Sequence, residues 1–185
     1  MQKLVCLGDS ITAMEQSSDG TSRLTPRLRS GLAGWEVINA GVSGDNTRDA
    51  LQRVEKDVLI HSPNLVMILL GANDAATHKM IGLNEYSDNL HHIVKKITPQ
   101  KAILITPSPV DEQRPRNRTN ASLQEYANVV KHIANSTGSQ FVDLFSKMIN
   151  QPDYTKMLSD GLHFTESGYI FLSQLLLYKI KNIQT

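Results

Sequence analysis

The chain has 185 residues, 40% of them apolar and 20% charged. That is enough to bury a core without a disulfide or a structural metal, and it excludes a disordered, collagenous or membrane-spanning polymer. Lys and Arg number 19 against 18 Asp and Glu, a formal net charge of +1, so a nucleic-acid binder that works through a broad basic surface is excluded as a class. Cys6 is the one cysteine, which rules out an intramolecular disulfide and suits a reducing compartment.

A chain of this length is expected to form one domain over residues 1–185. Its first residues are apolar for only a short way before Asp9, short of the apolar stretch and cleavage site of a signal peptide. No apolar run approaches the length needed to cross a bilayer. A cytoplasmic location without membrane insertion is therefore expected. Sequons at Asn117, Asn120 and Asn135 are read as chance matches.

In chain order, residues 3–7 read as a buried strand and residues 36–40 as a second. Residues 47–60 carry Ala50, Leu51, Val54, Val58 and Leu59 at helical spacing. Residues 65–70 are apolar at every position, the clearest strand. A helix over 85–97 follows, with Tyr86, Leu90, Ile93, Val94 and Ile97 on one face, then a strand over 102–106. Residues 121–136 repeat the helical pattern and 140–144 the strand pattern, and a last helix runs from Thr165, as N-cap, to about Asn182. Strands apolar on both faces, alternating with amphipathic helices, predict a doubly wound α/β protein: a three-layer α/β/α sandwich around a five-stranded parallel sheet.

In such sheets ligands bind beyond the carboxyl ends of the strands. Gly8-Asp9-Ser10-Ile11 follows the first strand, Asn39 to Asp45 the second, and Gly71-Ala72-Asn73-Asp74 the third. Asp160-Gly161-Leu162-His163-Phe164 lies ahead of the last helix. Acyl transfer needs a nucleophile, a base, a group that orients the base and donors for an oxyanion. Ser10, at a strand-to-helix turn made tight by Gly8, offers the hydroxyl, His163 the base, and Asp160 a carboxylate one turn away. The oxyanion donors would be the backbone N–H groups of Ser10 and Gly44 and the side-chain amide of Asn73. Taken singly, each has a plainer reading: a serine capping a helix, loop glycines, turn-forming Asn-Asp and Asp-Gly pairs, a buried histidine. Their order along the chain, each at a strand end, favours the chemical reading.

Together the four segments resemble the sequence blocks of the GDSL, or SGNH, hydrolase family, named for its Ser, Gly, Asn and His. The resemblance runs from Gly8 to His163 and implies a flavodoxin-like fold. It also implies a nucleophile at Ser10 completed by Asp160 and His163, with Gly44 and Asn73 joining the Ser10 amide in the oxyanion hole. Residues 71–75 and 160–164 look most like the isoamyl-acetate-hydrolysing esterases and their bacterial lipase/acylhydrolase relatives. Residues 39–45 are also similar to the bacterial thioesterase/lysophospholipase branch. Ile11 replaces the leucine of the first block and Ala72 a frequent glycine of the third, and neither change removes a catalytic group.

The expected activity is a serine esterase acting on small, short-chain carboxylic esters, without cofactor or metal. Thioesterase, lysophospholipase or carbohydrate deacetylase activity, acyl transfer to an alcohol, and a non-catalytic binding module are the alternatives. The expected partner is a small-molecule ester, and the oligomeric state stays open. Adjacent His91 and His92 point about 100° apart on a helix and read as a solvated face rather than a metal site. Residues 111–120, with Arg114, Arg116 and Arg118, read as a mobile, solvated loop or, alternatively, as a lid or an anion-reading rim. Residues 75–84, with His78, Lys79 and Met80, read as a pocket wall.

Overall fold

A strand apolar at every position has two faces to cover, and helices on both sides of a parallel sheet cover them. The computed structural model describes residues 1–114 and 117–183 and shows this arrangement. Its elements are β1 (Gln2–Gly8), α1 (Leu24–Gly31), β2 (Trp35–Gly41), α2 (Thr47–Asp57), β3 (Leu65–Leu69), α3 (Leu83–Ile97), β4 (Ala102–Ile105), α4 (Asn120–Thr137), β5 (Gln140–Val142), α5 (Leu144–Ile149) and α6 (Glu166–Ile183). All neighbouring strands are parallel, in the order β2-β1-β3-β4-β5, the flavodoxin-like order.

Side chains alternate across the sheet and split the core in two. Val5, Leu7, Val66, Ile68 and Leu104 face α2, α3 and α4, where Val54, Leu90, Ile93, Leu123 and Val130 meet them. Leu4, Cys6, Met67, Leu69 and Ile103 face α1, α5 and α6, against Leu28, Met148, Leu172 and Leu176. Cys6 is fully buried there, and burial pushes its thiol well above the ordinary range, so it packs as a small apolar residue. His91 and His92 are both exposed on α3. Among the described residues no helix is long and apolar enough to cross a membrane.

Several boundaries differ from the sequence reading. Thr106 and Leu144 fall outside the sheet. Asp143 caps α5, its carboxylate accepting from the Ser146 N–H at 3.0 Å, so Leu144 begins a helix rather than ending a strand. α2 stops at Asp57 and a 3-10 turn, Leu59–His61, continues the chain. α1 and α5 are helices in segments that show no helical pattern in the sequence. Thr165 does receive the first turn of α6, from the Gly168 N–H at 3.4 Å and the Tyr169 N–H at 3.0 Å. Asn120 is locked inward, accepting from the Val110 N–H at 2.8 Å and donating to the Val110 carbonyl at 3.0 Å.

Sheet register decides where loops meet. Gly8 pairs with Gly41 of β2 and with Leu69 of β3, so the carboxyl ends of the three strands are level. The chain leaves β1 for β2 on one side and returns to β3 on the other. That reversal opens a crevice above β1, the usual position of a ligand in this topology.

Candidate active site

The turn after β1 is closed by N–H groups of Thr12 and Ala13 on the Asp9 carbonyl, at 3.1 and 2.9 Å. Gly8 is required by close approach: a Cβ there would stand 2.9 Å from the Leu69 carbonyl oxygen. A helix does not follow this turn, contrary to the sequence reading, because residues 14–23 form an irregular segment before α1. The Asp9 carboxylate points inward and accepts from the Ile11 N–H at 2.9 Å. Ser10 is left half-buried with its hydroxyl at the crevice.

Ser10 Oγ lies 3.0 Å from His163 Nε2, and His163 Nδ1 lies 2.8 Å from Asp160 Oδ2. The other Asp160 oxygen accepts from the Leu162 N–H at 3.0 Å and the His163 N–H at 2.8 Å. Burial alone would raise the Asp160 carboxyl, but the His163 ring and these two N–H groups outweigh it and hold it at about 2. The turn is closed by the Ser159 N–H on the His163 carbonyl at 2.7 Å. Ser10 and the Asp160–His163 turn, 153 residues apart at the Ser10–His163 contact, are thus one hydrogen-bonded line, with the imidazole fixed by a carboxylate and facing a hydroxyl.

Gly44 sits beyond β2 at φ +88°, a left-handed conformation that favours glycine. Its loop is fastened on several sides. Asn73 Nδ2 donates to the Asp45 carbonyl at 2.8 Å, and Lys79 Nζ to the Gly44 carbonyl at 3.2 Å. Buried Arg53 holds the Asp45 carboxylate at 2.5 Å and reaches the Ala40 and Gly8 carbonyls at 2.7 and 3.1 Å. The structure therefore joins Ser10, His163 and Asp160 to one another, and Asn73 to the Gly44 loop. Register brings the two groups to one edge of the sheet.

A cleft of about 400 Å³ opens on this edge, lined by Ser10, Ser17, Ser43, Ser159, His163 and Tyr169 among others. Met14, at φ 67°, and Gln16 line it from the segment after the Ser10 turn. A cavity of about 430 Å³ between α1 and α6, lined by Arg27 and Gln174, lies away from these groups. Among the described residues no cluster of His, Cys, Asp or Glu is arranged to hold a metal ion.

Sequence reasoning missed Arg23, Tyr169 and Arg53. Arg23 Nε donates to the Tyr169 hydroxyl at 2.6 Å and its Nη2 to the Ser10 carbonyl, while the Tyr169 hydroxyl donates to the Ile11 carbonyl at 3.1 Å. Burial keeps the Tyr169 phenol above its usual range, so it retains the proton it donates. All three residues act on backbone carbonyls, and no side-chain pattern announces such contacts. The loop after β4 exposes Glu112, Gln113, Arg114, Asn117 and Thr119, in keeping with a solvated loop, and it also makes two specific contacts. Arg114 Nη1 donates to the Ser159 carbonyl at 2.9 Å, and the Asp111 N–H donates to the Gly161 carbonyl at 2.9 Å, so this loop buttresses the Asp160 turn. Burial raises the Asp9 carboxyl, and the charge of half-buried Arg118 is a minor influence against that rise. Arg116 lies outside the described residues.

The fold and the groups on its carboxyl edge define a hydrolase built on a doubly wound α/β sheet. Residues 6–170 match the model of the GDSL-like Lipase/Acylhydrolase family. The human isoamyl acetate-hydrolyzing esterase 1 homolog is 35% identical over 92% of this chain and 77% of its own. The crystal structure of a lipase/acylhydrolase from Enterococcus faecalis superposes with TM-score 0.91 at 35% identity, covering 98% of this chain and 96% of that one. An acetylxylan esterase from Geobacillus stearothermophilus gives 0.81 at 27% identity, covering 97% and 94%. The chain belongs to the GDSL-like lipase/acylhydrolase family and is an esterase/acylhydrolase acting on ester bonds.

Proposed function

We propose that the protein is a serine esterase that cleaves small, short-chain carboxylic esters through an acyl-enzyme on Ser10. The observation that carries the reading is the line Ser10–His163–Asp160, with contacts of 3.0 and 2.8 Å. Both distances suit proton transfer between nucleophile, base and orienting carboxylate. His163 Nε2 takes the hydroxyl proton as Ser10 Oγ bonds to the ester carbonyl carbon. The ionised Asp160 holds the Nδ1–H and stabilises the imidazolium. The oxyanion is met by the Ser10 and Gly44 N–H groups and by Asn73 Nδ2. Collapse expels the alcohol, which takes the proton from His163. Water, deprotonated by His163, then attacks the acyl-enzyme; the acid leaves and Ser10 regains its proton.

A cleft of about 400 Å³ leaves space for a small ester, and a short acyl chain is in keeping with the likeness to an isoamyl acetate-hydrolyzing esterase homolog. On this reading the partner is a small-molecule ester, taken up by a cytoplasmic protein whose residues 1–185 form one domain. A second reading, removal of acetyl groups from a carbohydrate, draws support from the serines that line the cleft and from the likeness to an acetylxylan esterase.

The test is a hydrolysis series on p-nitrophenyl esters from acetyl to decanoyl, with Ser10→Ala as control. Turnover is expected to peak at the short chains and to vanish in Ser10→Ala. A peak at decanoyl would contradict the short-chain assignment, and wild-type turnover in Ser10→Ala would contradict the nucleophile.

A further inference from the structure

Ser10 and His163 stand 153 residues apart in the chain and reach the site on separate elements, one on the turn after β1, the other on the turn before α6. Their reaction demands a heavy-atom separation of about 2.6–3.2 Å, and a misplacement of about 1 Å can lower turnover about 10²-fold. The single contact between the two side chains is too weak to set that distance, since it is remade in every catalytic cycle. Something else must fix the β1 turn against the start of α6.

We propose, resting on the reading of Ser10 as nucleophile, that Arg23 and Tyr169 form a brace that sets the Ser10–His163 separation. The two are positioning residues for acyl transfer. Arg23 Nη2 holds the Ser10 carbonyl, and the Tyr169 hydroxyl holds the Ile11 carbonyl at 3.1 Å. Arg23 Nε donates to that same hydroxyl at 2.6 Å, so the two supports are one object. Tyr169 belongs to the first turn of α6, its N–H on the Thr165 carbonyl at 3.0 Å. Its ring lies 5.6 Å from that of Phe164, the neighbour of His163. The nucleophile turn is thereby tied to the helix that follows the base.

The chemistry of both side chains suits this task. A guanidinium is a rigid planar fork that can serve two acceptors at once. A phenol accepts one hydrogen bond while donating another. Arg23 is 8% exposed and Tyr169 1%, so water competes little for their partners. The guanidinium also sits 5.2 Å from the centre of the Tyr169 ring, which holds the pair together beyond the hydrogen bond. Both line the cleft that contains Ser10 and His163.

The test compares Arg23→Gln, Arg23→Lys, Tyr169→Phe and the double variant Arg23→Gln/Tyr169→Phe on p-nitrophenyl acetate, with thermal melts of each. Tyr169→Phe keeps the ring against Phe164 and removes only the hydroxyl, so it is the variant that should fold as wild type does. A brace predicts that kcat falls about 10- to 10²-fold in Arg23→Gln and Tyr169→Phe while KM stays within about twofold. It predicts partial recovery in Arg23→Lys, which keeps one donor for the Ser10 carbonyl. It also predicts a double variant no worse than the poorer single one, since each change breaks the same device.

Unchanged kcat in the folded variants would overturn the brace, as would a loss confined to KM or losses that multiply in the double variant. Ser10→Ala separates this failure from that of the underlying reading. A dead Ser10→Ala beside active brace variants removes only the brace, whereas an active Ser10→Ala removes the nucleophile itself.

Discussion

Asn73 has two N–H bonds on one amide nitrogen, and one of them serves the Asp45 carbonyl at 2.8 Å. That bond fixes the amide against the loop carrying Gly44, and on the proposed reading the second hydrogen serves the oxyanion. On that reading Asn73→Ala removes an oxyanion donor, so turnover should fall about 10²–10³-fold. Steady-state kinetics on p-nitrophenyl acetate check this, and unaltered turnover in a folded Asn73→Ala protein would take Asn73 out of the site. Ser10, Gly44, Asn73, Asp160 and His163 were legible in the sequence because each follows a strand or turn signal at a sheet edge. Arg23 and Tyr169 were not. A lone arginine in a loop and a tyrosine on an apolar helix stripe have no marker for the backbone oxygens they hold.

At the scale of elements, the buried strands and the long helices were legible for one physical reason. Apolar positions at a period of 2 or 3.6 show which faces must be covered. β3 is buried at all five of its positions, and α3 buries Tyr86, Leu90, Ile93, Val94 and Ile97. α1 escaped because its eight residues bury only Leu24, Thr25 and Leu28 and include Pro26, too little for a periodic pattern. α5 escaped because its six residues begin directly after β5 and Asp143, so Leu144 reads as the end of a strand. The loop after β4 was legible as a feature of the active edge but not in its action. The contacts of Arg114 with Ser159 and of Asp111 with Gly161 again involve carbonyl oxygens, which every residue carries.

Two of the buried carboxyls near the crevice, Asp9 and Asp74, tie the stability of the whole molecule to pH. Burial raises Asp9 to about 6, from an ordinary 3.8, although the Ile11 N–H pulls the other way. Burial raises Asp74 to about 6 as well, against the hydroxyl and N–H of Thr47, which both bond to Oδ1. Its Oδ2 is sealed from water without a hydrogen-bond partner. Between pH 3.8 and about 6 the folded chain keeps protons that the unfolded chain releases. These two groups therefore favour the fold below pH 3.8, and that contribution is lost as pH rises through about 6. Asp160 works in the opposite sense: its contribution is present above pH 3.8 and lost as pH falls toward about 2. Asp74→Asn should accordingly flatten the fall in stability from about pH 4 to pH 7. Urea midpoints at intervals across that range, in wild type and variant, read this directly, and identical slopes would contradict it.

On the proposed mechanism Ser10 becomes covalently acylated with His163 as its base. A fluorophosphonate probe followed by peptide mapping tests it most directly, because the probe forms a stable adduct with an activated serine. A single adduct is expected on the peptide carrying Ser10, absent in Ser10→Ala and greatly slowed in His163→Ala. An adduct on another residue, or a folded wild-type protein that takes up no probe, would contradict it.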